Sequence, residues 1–235
     1  MIIVRGVTRK LTAALRDAPT TLPALLALAL FIAWASAQAG YPLTHWAPGG
    51  LILLGLLAVA LRAVGLRVRE IPLATRIALA ALAAYTALSF FSILWASVPA
   101  DAWEGANRTL LYLLVFALFA CWPQRGATAA LLLCTWVLAM GALAVFVALH
   151  VDAATSAQLH SMFSGGRLLY PAGYANADAA QWLMAAWPAL LLAASARLHW
   201  GLRGVLAAAT VMLAEIALLS QSRGSLYATP VMIVL

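Results

Sequence analysis

Seven largely uncharged apolar stretches alternate with short segments bearing Arg, Pro and Gly, near residues 20–39, 49–66, 76–97, 105–122, 128–149, 180–198 and 203–221. A hydrocarbon core needs about 20 apolar residues to be crossed by a helix, and each stretch meets or approaches that length. Backbone N–H and C=O groups cannot stay unpaired in lipid, and no period-two alternation competes, so each stretch predicts a helix. An eighth begins near Ser225, but the eleven residues from there to Leu235 rise only about 16 Å, too little to cross about 30 Å. The expected fold is all-α: a polytopic transmembrane helix bundle of seven full spans plus a truncated eighth, one transmembrane domain over residues 20–235. The short last helix leads to the expectation of an N-terminal portion of a longer protein, or a truncated product.

Composition rules out a water-soluble globule: of 235 residues, 66% are hydrophobic and 9% charged, against about 25% charged in a soluble domain. The net charge of +7 is explained by position rather than by a nucleic-acid partner, since no basic run is interleaved with aromatics. Arg5, Arg9, Lys10, Arg16, Arg62, Arg67, Arg69, Arg76, Arg125, Arg197 and Arg203 fall on one side of the predicted spans, and Arg108, Arg167 and Arg223 on the other. The positive-inside rule then places the N-terminus in the cytoplasm and the last three arginines outside. Residues 1–19 carry Val4, Val7, Leu11 and Ala14 at helical spacing, the pattern of a cytoplasmic amphipathic segment lying on the membrane. A signal-peptide grammar ending in Ala35-Ser36-Ala37-Gln38-Ala39 competes with that reading and leaves the orientation downstream unchanged. Cys121 and Cys134 offer neither a disulfide framework nor a CxxC site. No cofactor is expected, and no histidine pair has the spacing of a helical metal site.

Three outward segments hold most of the polar chemistry. In the first, Asp101 and Glu104 are expected to cap the fourth helix, and Glu104 and Arg108 are spaced for a local ion pair that competes with an anionic ligand. The second is the 150–180 loop, with Gly165, Gly166, Arg167, Gly173, Tyr174 and Asn176. Glycines allow close backbone approach, Asn176 or Asp178 can cap the next helix, and Arg167 has no acid nearby in sequence to neutralise it. Such a loop suits an oxyanion or phosphate, although lipid headgroups would also satisfy the arginine. The third is Ser220-Gln221-Ser222-Arg223-Gly224-Ser225, a polar turn that must find partners at a membrane edge. Glu215 lies about 12 Å deeper than Arg223 along its helix, facing a polar cavity or bonded to a neighbouring helix, and it is the strongest argument for proton-coupled transport. His160 suggests either an acid–base group or a solvated loop histidine. Tryptophans 34, 46, 95, 103, 122, 182 and 200 read as an interfacial belt.

Taken in order, Leu94-Trp95-Ala96-Ser97 through Pro99, Arg167-Leu168 to Pro171-Ala172-Gly173-Tyr174-Ala175-Asn176-Ala177, and Ser222-Arg223-Gly224-Ser225 resemble the O-antigen ligase and O-antigen polymerase family of bacterial inner-membrane proteins. The resemblance runs from about residue 20 to the end. It implies a glycosyltransferase that takes a glycan from an undecaprenyl diphosphate carrier at the periplasmic face and passes it to lipid A core or another glycan, without metal. It also implies that Arg167, Arg223 and Arg108 contact the diphosphate, with Gly173, Tyr174, Asn176 and Ser222 in support. The family's acceptor-activating histidine belongs to a later loop, so this chain by itself is expected to be inactive. Two rivals stand beside that reading: a transporter or flippase for a lipid-linked sugar or small anion, and a noncatalytic assembly subunit.

Overall fold

The computed structural model describes residues 20–66, 68–122, 125–224 and Tyr227. The expected amphipathic segment 1–19 and the eighth helix from Ser225 lie outside the described residues. The described chain is helical apart from turns and one small hairpin. Its elements are α1 (Thr21–Ser36), α2 (Leu43–Val64), α3 (Leu73–Phe91), α4 (Pro99–Ala120), α5 (Gly126–Asp152), α6 (Ser156–Met162), β1 (Phe163–Ser164), β2 (Arg167–Leu168), α7 (Ala175–Ala194) and α8 (Trp200–Leu219).

A long helix overlaps each of the seven predicted stretches. Four helical segments, α2, α3 with its 3-10 continuation to Trp95, α5 and α8, are long and apolar enough to cross a membrane. The others are shorter or more polar: α1 has 16 residues, α4 opens with Asp101, Glu104 and Arg108, and α7 opens with Asn176 and Asp178. Helix α4 starts at Pro99, six residues before its apolar stretch, because proline presets a helical φ and lacks the N–H that a first turn leaves unpaired. Its N-cap is Val98, with no side-chain bond, so the expected cap by Asp101 and Glu104 is corrected. Asp101 instead sits in the first turn, where the helix dipole favours its charge.

The described residues form two compact units, those within 1–27 and 47–128 and those within 28–46 and 129–235. In the first, α3 packs on α4. The Thr86 hydroxyl donates to Leu82 O at 2.8 Å and lies 3.4 Å from Thr109 O across the pair. Trp122 is buried and donates its indole N–H to Gly65 O at 3.0 Å.

In the second unit, α7 presents Ala175, Ala179, Ala185, Ala186 and Ala189 on its buried face, around a fully buried Trp182. Small side chains let helix axes approach closely, and α8 packs Leu206, Leu213, Ile216 and Ala217 into the same core. The chain entering this unit from α1 turns through Gly40 at φ +68, where a β-carbon would stand 2.7 Å from the Trp34 ring. Only glycine fits there without a shift. The 150–180 segment is more ordered than a connecting loop. Thr155 and Gln158 form a reciprocal capping box on α6, and β1 pairs antiparallel with β2, Phe163 opposite Leu168 and Ser164 opposite Arg167. Gly165 at φ +56 and Gly166 at φ +75 supply the two left-handed residues that a two-residue hairpin turn requires. That strand pair is a local exception within an otherwise helical fold.

A β-carbon at Gly141 of α5 would lie 3.1 Å from the β-carbon of Ala209 on α8, a contact neither backbone can relieve by a rotamer change. Gly141→Leu is expected to cost about 1–3 kcal/mol by overpacking, with Gly141→Ala milder, measured as thermal unfolding midpoints in detergent micelles. A leucine variant that unfolds with the wild type would refute the close packing.

Candidate functional site

The hairpin turn delivers Arg167, half-buried, onto the turn that follows α8. Its Nε donates to Ser220 O at 3.3 Å and one terminal nitrogen to Asn176 Oδ1 at 3.3 Å. Asn176 Nδ2 in turn donates to the Tyr174 hydroxyl at 2.8 Å, which fixes the amide's orientation. Gln221 Nε2 lies 3.4 Å from Gly166 O, a second tie between the two turns. Gln221 holds φ +43, a left-handed conformation that non-glycine residues adopt at some cost and that recurs at functional sites. Among the described residues Arg167 makes no ion pair. A guanidinium has five N–H donors, so three remain for a further acceptor.

Beneath these turns lies Asp178, fully buried and absent from the residues expected to form the site. Its Oδ2 accepts from Ser220 Oγ at 2.8 Å and from the Trp182 indole at 3.1 Å, and its Oδ1 lies 3.4 Å from Ala172 N. Neither Asn176 nor Asp178 caps α7 as expected. Tyr174 is the N-cap residue, without a side-chain bond, and Asp178 reaches back to the preceding turn and across to the next helix. Burial pushes its carboxyl up to about 6 from 3.8, against the hydrogen bonds from Ser220, Trp182 and Ala172, which pull it down. Asp178 precedes the 180–198 stretch and lies outside the four segments able to span. The Asp178–Trp182 spacing of one helical turn was a usable sequence signal; the contact with Ser220, 42 residues away, left none.

The structure therefore brings Arg167, Tyr174, Asn176 and the 220–223 turn together, with Gly173 at φ +82 just before α7. Ser222 is buried in that turn and Arg223 is exposed on it. Arg108 belongs to the other compact unit, where its guanidinium meets Glu104 Oε1 at 2.6 Å, the local pair that spacing suggested. Glu215 is exposed on α8. Beside the Gly165–Gly166 turn an open cleft of about 790 Å³ is lined by Val151, Asp152, Leu159, His160 and Phe163. His160 Nδ1 lies 2.6 Å from Ser156 O. His199 caps α8, accepting from Gly201 N at 3.2 Å. Of the expected tryptophan belt, Trp95, Trp103 and Trp200 are exposed, whereas Trp46, Trp122 and Trp182 are buried and act as core. Among the described residues no cluster of His, Cys, Asp and Glu is arranged to hold a metal. No known family, no curated protein and no solved structure matches this chain.

Removing the Asp178 carboxylate strands three donors. Asp178→Ala is expected to lower the thermal midpoint strongly, since each unsatisfied buried group costs about 1–3 kcal/mol. The titration gives a second expectation. A carboxyl raised in the fold stabilises it below the unfolded value of 3.8, and that contribution is lost as pH rises through about 6. The wild type is therefore expected to lose about 1 kcal/mol between pH 5 and pH 7.5, and Asp178→Asn to flatten that difference. Parallel pH profiles for the two proteins would show that the carboxyl is not the titrating group.

Proposed function

We propose that this chain carries the lipid-diphosphate site of a membrane glycosyltransferase of the O-antigen ligase and polymerase type. In this reading it works at the periplasmic face of a bacterial inner membrane. A glycan on undecaprenyl diphosphate passes to a hydroxyl of lipid A core or of another glycan. The observation that carries the proposal is Arg167, without an ion pair among the described residues and anchored on the carbonyl of Ser220, which precedes the exposed Arg223 by three residues.

In such a transfer the anomeric carbon–oxygen bond breaks and its electron pair leaves with the diphosphate. Negative charge on the leaving oxygens grows along that coordinate. Guanidiniums already held in place stabilise it more in the transition state than in the ground state, which is the condition for catalysis rather than mere binding. Arg167 supplies a planar fork matched to two oxygens. Arg223, on the turn that Arg167 grips, adds the second positive charge. Tyr174 and Asn176 set the angle of the fork, and Gly173 and Ser222 shape the two turns. Because the Arg108 charge already meets Glu104, the proposal rests on the other two arginines. The 790 Å³ cleft across the Gly165–Gly166 turn has room for sugar units next to the diphosphate.

Binding of undecaprenyl diphosphate to the detergent-solubilised chain, followed by native mass spectrometry, tests the site directly. Arg167→Ala and Arg223→Ala are each expected to weaken binding about 10- to 100-fold, the worth of a charged hydrogen bond. Arg167→Lys recovers only part of the loss because an ammonium cannot make the two-pronged contact. Arg108→Ala is expected to stay within about twofold of wild type. Undiminished binding by Arg167→Ala and Arg223→Ala together would sink the proposal.

A further inference from the structure

Asp178 and Arg167 hold the same residue from opposite sides. The carboxylate Oδ2 accepts from the Ser220 hydroxyl at 2.8 Å, and the Ser220 carbonyl accepts from Arg167 Nε at 3.3 Å. The carboxyl is fully buried, as is its partner Trp182, so its charge is poorly screened by water or salt. An anion gripped by Arg167 and Arg223 therefore sits within reach of a buried negative charge that repels it.

The two carboxyl oxygens are not equivalent. Oδ2 takes both shorter bonds, from Ser220 at 2.8 Å and Trp182 at 3.1 Å, whereas among the described residues Oδ1 meets Ala172 N alone, at 3.4 Å. A proton therefore goes to Oδ1, and Oδ2, now the carbonyl oxygen, continues to accept from both donors. The neutral acid keeps Ser220, and with it the seat of Arg167, where the ionised acid holds it. Protonation removes the repulsion without dismantling the site. Burial, opposed by the bonds from Ser220, Trp182 and Ala172, pushes the carboxyl up to about 6, close enough to neutrality for a neighbouring anion to tip it.

We propose that anion binding at the turn bearing Ser220 and Arg223 is coupled to proton uptake by Asp178, so that acidification tightens the site and ionisation of the carboxyl loosens it. The coupling rests on the reading of that turn as a diphosphate site and adds its regulation. By linkage, a proton strengthens diphosphate binding by the same factor by which diphosphate strengthens protonation. With the charges on the order of 10 Å apart and an effective dielectric constant of about 20, that factor is about tenfold per unit charge. The sign follows from the acid: neutral below about 6, it leaves the site at full strength there, and affinity falls as pH rises through that value.

The other charged and titratable groups near Asp178 are Arg167 on β2, Arg223 after α8, and Tyr170 and Tyr174 before α7. His150, at the end of α5, lies with its ring 5.5 Å from that of Tyr170. Glu215 is exposed on α8, and Asp152 and His160 line the cleft across the Gly165–Gly166 turn. Of these, a histidine that gains charge on acidification would act in the same direction as Asp178, so the test includes His150→Gln.

The test is isothermal titration calorimetry of the whole chain in detergent, with undecaprenyl diphospho-N-acetylglucosamine as the probe. Both phosphates of this lipid are diesters, so its own charge stays constant from pH 5 to pH 7.5. Wild-type affinity is expected to fall about five- to tenfold over that range. In buffers of different ionisation enthalpy at pH 6.5, binding takes up a fraction of a proton. Asp178→Asn, with its amide oxygen in the place of Oδ2, is expected to bind at pH 7.5 as tightly as the wild type at pH 5, with no proton uptake. Ser220→Ala keeps the carbonyl that seats Arg167 and deletes a donor to the carboxylate, so the fall in affinity moves to higher pH; it serves equally if the asparagine variant does not fold. His150→Gln retains the wild-type pH dependence. Binding without pH dependence or proton uptake in the wild type, or pH dependence that survives in Asp178→Asn, would overturn the coupling and leave the diphosphate site standing. Absence of binding at every pH would overturn the diphosphate reading and the coupling with it.

Discussion

The buried carboxyl of Asp178 is the interaction on which the second unit's architecture turns. One side chain accepts from the end of α8 through Ser220, from the core through Trp182, and faces the loop before α7 at Ala172. A carboxyl removed from water demands such donors, and those three groups, once buried, need an acceptor. Because the demand is mutual, the turn before α7 and the turn after α8 are held in one place rather than left to slide along an apolar helix face. The alanine face of α7 brings the helices close, but alanines set no register along the axis; the hydrogen bonds do.

The proposed anion site in this unit depends on that clamp. Ser220 uses its hydroxyl on Asp178 and its carbonyl on Arg167, so the buried acid and the half-buried base meet through a neutral residue instead of pairing. A direct ion pair would have quenched the guanidinium. Routing the contact through a serine leaves the positive charge available while fixing its position, which suits an anion site better than a strong internal salt bridge. In the first unit Arg108 shows the other outcome, since Glu104 one turn away meets its charge.

The helices were legible because a bilayer allows few alternatives. Seven stretches without strand periodicity gave seven helices, with the start of α4 misplaced by six residues because proline chemistry, and not apolarity, sets the boundary at Pro99. The hairpin turn at Gly165–Gly166 was visible only as two permissive residues, since strands of two residues carry no period to detect. The outward arginines stood out by polarity in an apolar chain, while Tyr174 and Asn176 entered the expected site through the family resemblance. Asp178 was misread as a cap because its contact with Ser220, 42 residues away, leaves no trace in the local sequence.

What the sequence determined by itself is the lipid-facing character of the chain and the helices that follow from it. It also marked the polar breaks where chemistry must sit, because hydrogen-bond satisfaction in hydrocarbon is a local requirement met within each segment. Only the tertiary structure decided which breaks meet, where the Arg167 fork is held, and which tryptophans are core. Those outcomes depend on contacts across 40 to 60 residues, such as Asp178 with Ser220 and Arg167 with the same residue. Helix packing creates those contacts, and no spacing along the chain encodes them.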